Sequence, residues 1–464
     1  MISYGALMPH PPVLIKEIGG ERLQELQATL EILPRISAEL LATAPDCIVF
    51  LTPHGNVFED CISYLSEAHL EGDLRDFGWP DPGTSLSNDL ALLHEIAVLA
   101  KEQGLPFVGI SPELGRRHHL KTRLDHGILV PLYFLQQAGM GQIPILAISV
   151  GLLDNEELYL FGQIIAQASH QLGRRVAILA SGDMSHALKE EGPYQFHPDG
   201  PRFDQTVKVA LDQGDFASIL QIPAQLRKNA RECGYPSLLI LLGALDGCQP
   251  EKVLSNYEGP FGVGYLSAGI KPGPKTERLG AQIKSQKADE ITARRTREAP
   301  LVHWARLNLE HRVAGRPAPP LEAEMQELLS KRSAAFVSIK KRGKLRGCIG
   351  TFLPAYQNLA EEIAHNALAA GLQDPRFPPV TGAELAELEY SVDVLARPES
   401  CRRTDLDPRK YGVIVSYKGR RGLLLPDLEG VDTVEEQLRI ACQKAGIAPH
   451  EAYSIERFEV KRYL

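Results

Sequence analysis

At 464 residues the chain is longer than one ordinary hydrophobic core sustains, so two domains are expected. Its 44% hydrophobic and 23% charged residues are those of a globular protein and exclude a disordered or collagen-like class. A net charge of -8 gives no general footprint for nucleic acid, which is not expected as a partner, and the seven scattered cysteines, with no CxxC pair, exclude a disulfide framework and a zinc ribbon.

The start, Met1–Leu14, has no basic run, and Pro11 and Pro12 follow His10 directly, so it does not read as a signal peptide. The longest apolar run, Leu238–Leu245, falls short of the ~20 residues that a membrane span requires. A cytoplasmic protein that does not engage a membrane is expected. Strands are predicted at Ile2–Met8, Cys47–Leu51, Pro106–Ile110, Pro144–Val150, Val176–Ala180 and Gly262–Ala268. Between the first two, Leu23, Leu26, Leu30 and Leu33 recur at helical spacing, with Pro34 as a kink. This alternation predicts an α/β domain over 1–270, with a central sheet flanked by helices.

From 271 to 288 the composition turns to prolines, glycines and charges, which predicts a linker. Apolar periodicity resumes over Ile291–Leu309. Two hairpins then follow, Phe336–Lys340 with Leu345–Ile349 about a turn at Arg342–Gly343, and Val413–Tyr417 with Gly422–Leu425 about Lys418–Arg421. Residues 289–464 therefore read as a second, α+β domain.

Ligands of open α/β folds gather beyond the carboxyl ends of strands. His10 follows the first predicted strand, His54 follows the second, and Ser181-Gly-Asp-Met-Ser-His186 follows the strand Val176–Ala180. Arg231-Glu-Cys-Gly-Tyr-Pro236 precedes an apolar helix, so Glu232 is expected in a loop or first helical turn, where an anion is favoured. Two histidines and a carboxylate on one face would leave open positions on a six-coordinate ion, although strand-end histidines also serve as caps or satisfied polar residues. His126 opens a predicted helix, whose N-terminus would keep the imidazole neutral. Asp183 is placed either to orient His186 or to shape a turn.

Pro9-His10-Pro11-Pro12, Thr52-Pro53-His54-Gly55, Leu124-Asp125-His126-Gly127, the Ser181–His186 motif and the run from Glu232 to Leu245 together resemble the LigB-like class III extradiol ring-cleavage dioxygenases. The resemblance implies Fe(II) held by His10, His54 and Glu232, with His186 as acid/base and His126 lining the substrate pocket. The related Memo group has a cysteine at the third ligand position, and here Cys233 adjoins Glu232, an alternative ligand that would favour zinc or copper.

In the second half, Leu345-Arg-Gly-Cys-Ile-Gly350, Asp374-Pro-Arg-Phe-Pro-Pro-Val380 and Gly422-Leu-Leu-Leu-Pro426 resemble the AMMECR family. The pairing is similar to the AmmeMemoRadiSam system proteins A, which implies a radical S-adenosylmethionine protein as partner. Arg346 and the basic run Lys340–Arg346 would lower the pKa of Cys348 and make it a nucleophile, while a buried cysteine in a glycine-kinked strand is the alternative. The expected function is an Fe(II)-dependent dioxygenase-like enzyme acting on an aromatic or related diol with O2. The alternative is a metal- or ligand-binding protein of a modification system.

Overall fold

The computed structural model describes residues 1–341, 343–428, 430–448 and 450–464. The chain divides into two compact units, 1–284 and 285–464.

The first unit is built on strands β1 (Ile2–Met8), β2 (Cys47–Thr52), β3 (Ile62–Leu65), β4 (His69–Leu74), β5 (Trp79–Ser87), β6 (Phe107–Ile110), β7 (Ile145–Ser149), β8 (Val176–Ser181), β9 (Cys248–Glu258) and β10 (Tyr265–Lys275). Eight of them form one sheet in the order β6-β3-β7-β2-β8-β1-β10-β9, and β4 and β5 form a separate hairpin. At the centre, β7, β2, β8 and β1 run parallel, while β10 pairs antiparallel with β1 and closes the mixed sheet.

The central strands are nearly continuous apolar runs because both of their faces are covered. Along β2, Cys47, Val49 and Leu51 enter one core and Ile48 and Phe50 the other, the period-two alternation of a strand buried twice. On the first face the helix Tyr235–Ala244, buried all round, packs on the helix Asn155–Gln171. A Cβ on Gly162 would lie 2.0 Å from the Ile240 carbonyl oxygen, so only glycine permits this approach. The helix Gln27–Ala42 carries Pro34 within it, while Leu23 lies in a short 3-10 turn ahead of it and Leu26 at its N-cap. No helix among the described residues is long and apolar enough to cross a membrane.

The predicted linker is largely structured. Pairing extends β10 to Lys275, and the helix Leu279–Arg297 begins four residues later. The boundary between the two units falls within the predicted stretch 271–288, where charged side chains at helix-compatible spacing suit an exposed helix as well as a linker.

The second unit holds β11 (Ala335–Lys341), β12 (Lys344–Gly350), β13 (Leu388–Leu395), β14 (Glu399–Ser400), β15 (Gly412–Tyr417), β16 (Arg420–Leu424), β17 (Ser454–Phe458) and β18 (Val460–Tyr463). They form two four-stranded sheets, β12-β11-β13-β18 and β14-β17-β15-β16, so this unit is α+β. Both hairpins form, although Arg342 of the first predicted turn lies outside the described residues. The helix Leu359–Leu372 lies on β11 and β12, close enough that a Cβ on Gly347 would meet the Ala370 carbonyl oxygen at 2.1 Å.

Candidate metal centre

The parallel strands β1, β2 and β8 end at one edge of the sheet, and the chain delivers one polar group just past each end. His10 follows β1, His54 follows β2 and Asp183 follows β8. The helix His126–Gln137 begins at the same edge, capped by Asp125, whose carboxylate accepts from Gly127 N at 2.8 Å and from Thr52 Oγ1 at 2.7 Å. Thr52 in turn accepts from the His54 backbone N–H at 3.1 Å. One buried carboxylate thus fixes both the end of β2 and the start of the helix that carries His126.

Among the described residues His10, His54 and His126 form a group whose ligand nitrogens lie within 4.8 Å of one another. The Nε2 atoms of His10 and His54 are 2.8 Å apart, and the His126 ring stacks on His54 with centroids 4.4 Å apart. Two imidazole nitrogens held by one ion at about 2.0–2.1 Å stand roughly 3 Å apart, so this spacing fits a shared ion. His10 Nδ1 meets Ser181 Oγ at 2.9 Å, and its backbone N–H donates to Asp183 Oδ1 at 3.1 Å. When the Nδ1–H donates to Ser181, the lone pair on Nε2 is free to face the centre.

Burial pushes the pKa of His10 well down, and it lowers His54 and His126 to about 4. All three are neutral imidazoles at neutral pH, the form that binds a metal. For His126 the cause is desolvation first, with the nearby Lys121 charge second.

Glu232 does not join this group. Arg231 turns the chain with φ of 57°, and the Glu232 carboxylate accepts from Tyr235 N at 2.8 Å at the start of the helix Tyr235–Ala244. Removal from water raises its carboxyl to about 7. Glu232 lies in the loop ahead of that helix, one of the two expected settings, and its carboxylate is engaged with Tyr235 N rather than grouped with the three imidazoles. Cys233, one residue on, faces the centre instead, with Sγ 3.8 Å from His10 Nε2. Nitrogen and sulfur on one tetrahedral ion stand roughly 3.5 Å apart, so the thiol is close to a ligand position.

What brings Cys233 there is glycine. A Cβ on Gly182 would lie 2.0 Å from Gly234 Cα, so the loops after β8 and before the helix Tyr235–Ala244 touch backbone to backbone. The Asp183 N–H then donates to Cys233 Sγ at 3.3 Å. Asp183, buried and raised to about 7 by desolvation, anchors His10, and its Oδ2 stands 4.0 Å from His186 Nε2, beyond hydrogen-bond reach. His186 is oriented by the Arg231 carbonyl, 2.6 Å from Nδ1. Burial lowers its pKa.

Two features of the site carried no sequence signal. Phe77, at the tip of the β4–β5 hairpin, brings its ring to 5.1 Å from His126 and is 42% exposed. Asp204 accepts from Ser185 N at 2.7 Å and from the Tyr257 hydroxyl at 2.6 Å, holding the loop that carries His186. Both depend on long-range packing.

In the second unit Arg346 pairs with Glu384, Nε to Oε1 at 2.9 Å. Cys348 Sγ accepts from the Ser338 hydroxyl at 3.1 Å. Of the basic run, Arg342 and the Lys344 side chain lie outside the described residues.

A mixed sheet with His10 and His54 just past the ends of two parallel strands, and His126 at a helix start beside them, defines an α/β class of domain whose histidine cluster is suited to a metal ion. The chain belongs to the LigB family: the description "catalytic LigB subunit of aromatic ring-opening dioxygenase" matches residues 4–267, and AMMECR1 matches residues 302–463. Protein CA_C1420 of Clostridium acetobutylicum is 38% identical over 459 residues, 98% of this chain and 98% of that protein. A Thermotoga maritima protein is 54% identical over 170 residues, 36% of this chain and 98% of its own length. Among solved structures, uncharacterized protein JW3007 from Escherichia coli K12 aligns with 58% of this chain and 99% of its own, at 20% identity and a TM-score of 0.37. Uncharacterized protein PH0010 from Pyrococcus horikoshii aligns with 35% of this chain and 88% of its own, at 29% identity and a TM-score of 0.33. LigB dioxygenases are metal-dependent, and the histidine cluster here suits that requirement.

Proposed function

We propose that the first unit is an Fe(II)-dependent oxidoreductase that opens or oxidises an aromatic or related diol with O2, its metal held by His10, His54 and His126. The observation that carries this reading is the convergence of three neutral imidazoles beside His186 at the sheet edge. A bound Fe(II) would supply adjacent open positions for a deprotonated diol and for dioxygen. Three neutral ligands leave the ion's charge uncompensated, which favours an anionic, chelating substrate.

His186 serves as the base. Its Nδ1–H donates to the Arg231 carbonyl, so Nε2 keeps the lone pair that takes a hydroxyl proton from the diol. Low pKa from burial keeps that nitrogen unprotonated and ready at neutral pH. Phe77 offers an aromatic face beside His126 at the mouth of the site.

The test is anaerobic Fe(II) loading followed by oxygen uptake with a panel of catechols. Uptake that disappears in His186→Ala while iron stays bound is the expected result. Full iron loading with no uptake on any diol would refute the dioxygenase reading.

Cys233 favours a second reading. A thiolate within reach of His10 Nε2 would make a nitrogen–sulfur set suited to zinc or copper, in a ligand-binding protein that works with a radical S-adenosylmethionine partner. That reading predicts preferential zinc or copper loading that is lost in Cys233→Ala.

A further inference from the structure

We propose that the second unit carries a separate site, an oxyanion-binding pocket in which Arg376 and Arg462 deliver a small carboxylate or phosphate compound to the thiol of Cys348. The argument begins with the sheet. Ser338 on β11 stands opposite Cys348 on β12 and Ser391 on β13, so the three side chains share one face. Asp393 lies two residues beyond Ser391 on that same face, and its partner across β18 is Arg462.

Each arginine is oriented from below by a buried carboxylate. Asp374 accepts from Arg376 Nε at 2.9 Å and Nη2 at 2.7 Å, and Asp393 accepts from Arg462 Nε at 2.8 Å and Nη2 at 2.9 Å. The carboxylate side chains are only 1% and 3% exposed, whereas the arginines are 53% and 48% exposed. Bidentate pairing through Nε and Nη2 turns the third nitrogen outward. Among the described residues Nη1 of neither arginine has a hydrogen-bond partner. Two pre-oriented donors of this kind fit an oxyanion.

Both arginines belong to the cysteine's surroundings. Arg376 Nη2 also donates to the Cys348 carbonyl at 3.1 Å, and Asp374 Oδ2 accepts from the Cys348 N–H at 2.9 Å. The charge of Arg462 is felt first by Asp393, then by Asp427 and by Cys348. A third guanidinium, that of Arg346, shares the Phe377 ring with Arg376, and its buried Nη1 has no partner among the described residues. The Ser338 hydroxyl donates to Sγ and fixes the thiol on this face of the sheet.

Competitive alkylation of the full chain tests this, with iodoacetate as the anionic probe and iodoacetamide as its neutral match. In either reaction an S–C bond forms, the C–I bond breaks with iodide leaving, and the thiol proton passes to buffer. Rates are read peptide by peptide, with the half-buried Cys248 and Cys401 as internal references. The iodoacetate-to-iodoacetamide ratio at Cys348 is expected to exceed the reference ratio about tenfold, the worth of one charge-assisted contact. Inorganic phosphate or acetate should slow iodoacetate at Cys348 without affecting Cys401, and the more effective of the two identifies the preferred oxyanion. Arg462→Gln should bring the ratio down to the reference value. Because the anion competition uses the unaltered chain, an unstable variant does not blunt the test. A wild-type ratio equal to the references, or no protection by either anion, would overturn the proposal.

Discussion

The two candidate sites solve opposite electrostatic problems. In the first unit, three imidazoles that burial holds neutral converge, with Asp183 Oδ2 3.9 Å from His10 Nε2, so their lone pairs face a space that a cation would fill. In the second, the carboxylates of Asp374 and Asp393 are buried and their arginine partners stand outward, so the open valences belong to donors and suit an anion. Burial alone therefore does not announce a ligand. What distinguishes the sites is which partner of each polar pair the fold hides.

The largest expected effect breaks the first half of this contrast. His10→Ala or His54→Ala should lower metal affinity by more than about 100-fold, beyond the ~10–100-fold typical of losing an outer partner, measured by metal titration of the purified chain. Gly182→Ala comes next. Its Cβ would meet Gly234 Cα, so the two loops must part, at a cost of about 1–3 kcal/mol read from chemical unfolding, together with weakened metal binding.

Ser181→Ala removes the hydrogen bond that sets the tautomer of His10 and should weaken metal binding about tenfold with little change in stability. A pH-dependent effect concerns Asp204. Desolvation raises its folded-state carboxyl to about 7 from an ordinary 3.8, so the native state holds this proton more tightly than the unfolded chain. Its contribution is full below 3.8 and is lost as pH rises through about 7, and Asp204→Asn should flatten that decline in melting temperature between these limits.

Much of this contrast was legible in the chain itself. The strands that bear the metal site are buried on both faces, and their continuous apolar runs marked β1, β2, β7 and β8 to within a residue or two at each end. The strand-end positions of His10 and His54 followed from the same runs. β3, β4, β5 and β9 were missed because short or edge segments such as His69–Leu74 and Cys248–Glu258 mix polar and apolar residues. Cys233 and Glu232 could not be ordered from sequence, since adjacent residues point in different directions and the choice rests on the contact between the loops at Gly182 and Gly234, where Asp183 and Cys233 meet from 50 residues apart in the chain. In the second unit the cysteine motif was plain, but Arg346 drew attention by its nearness in sequence, while Arg376 and Arg462 reach the site only through folding.

The account turns on which side chains complete the metal site beside His10 and His54. Metal stoichiometry after anaerobic loading, compared between Glu232→Gln and His126→Ala, tests this most directly. The geometry predicts that Glu232→Gln retains its metal, because that carboxylate is committed to Tyr235 N, and that His126→Ala loses most of it. Full metal in His126→Ala together with an empty Glu232→Gln would contradict it.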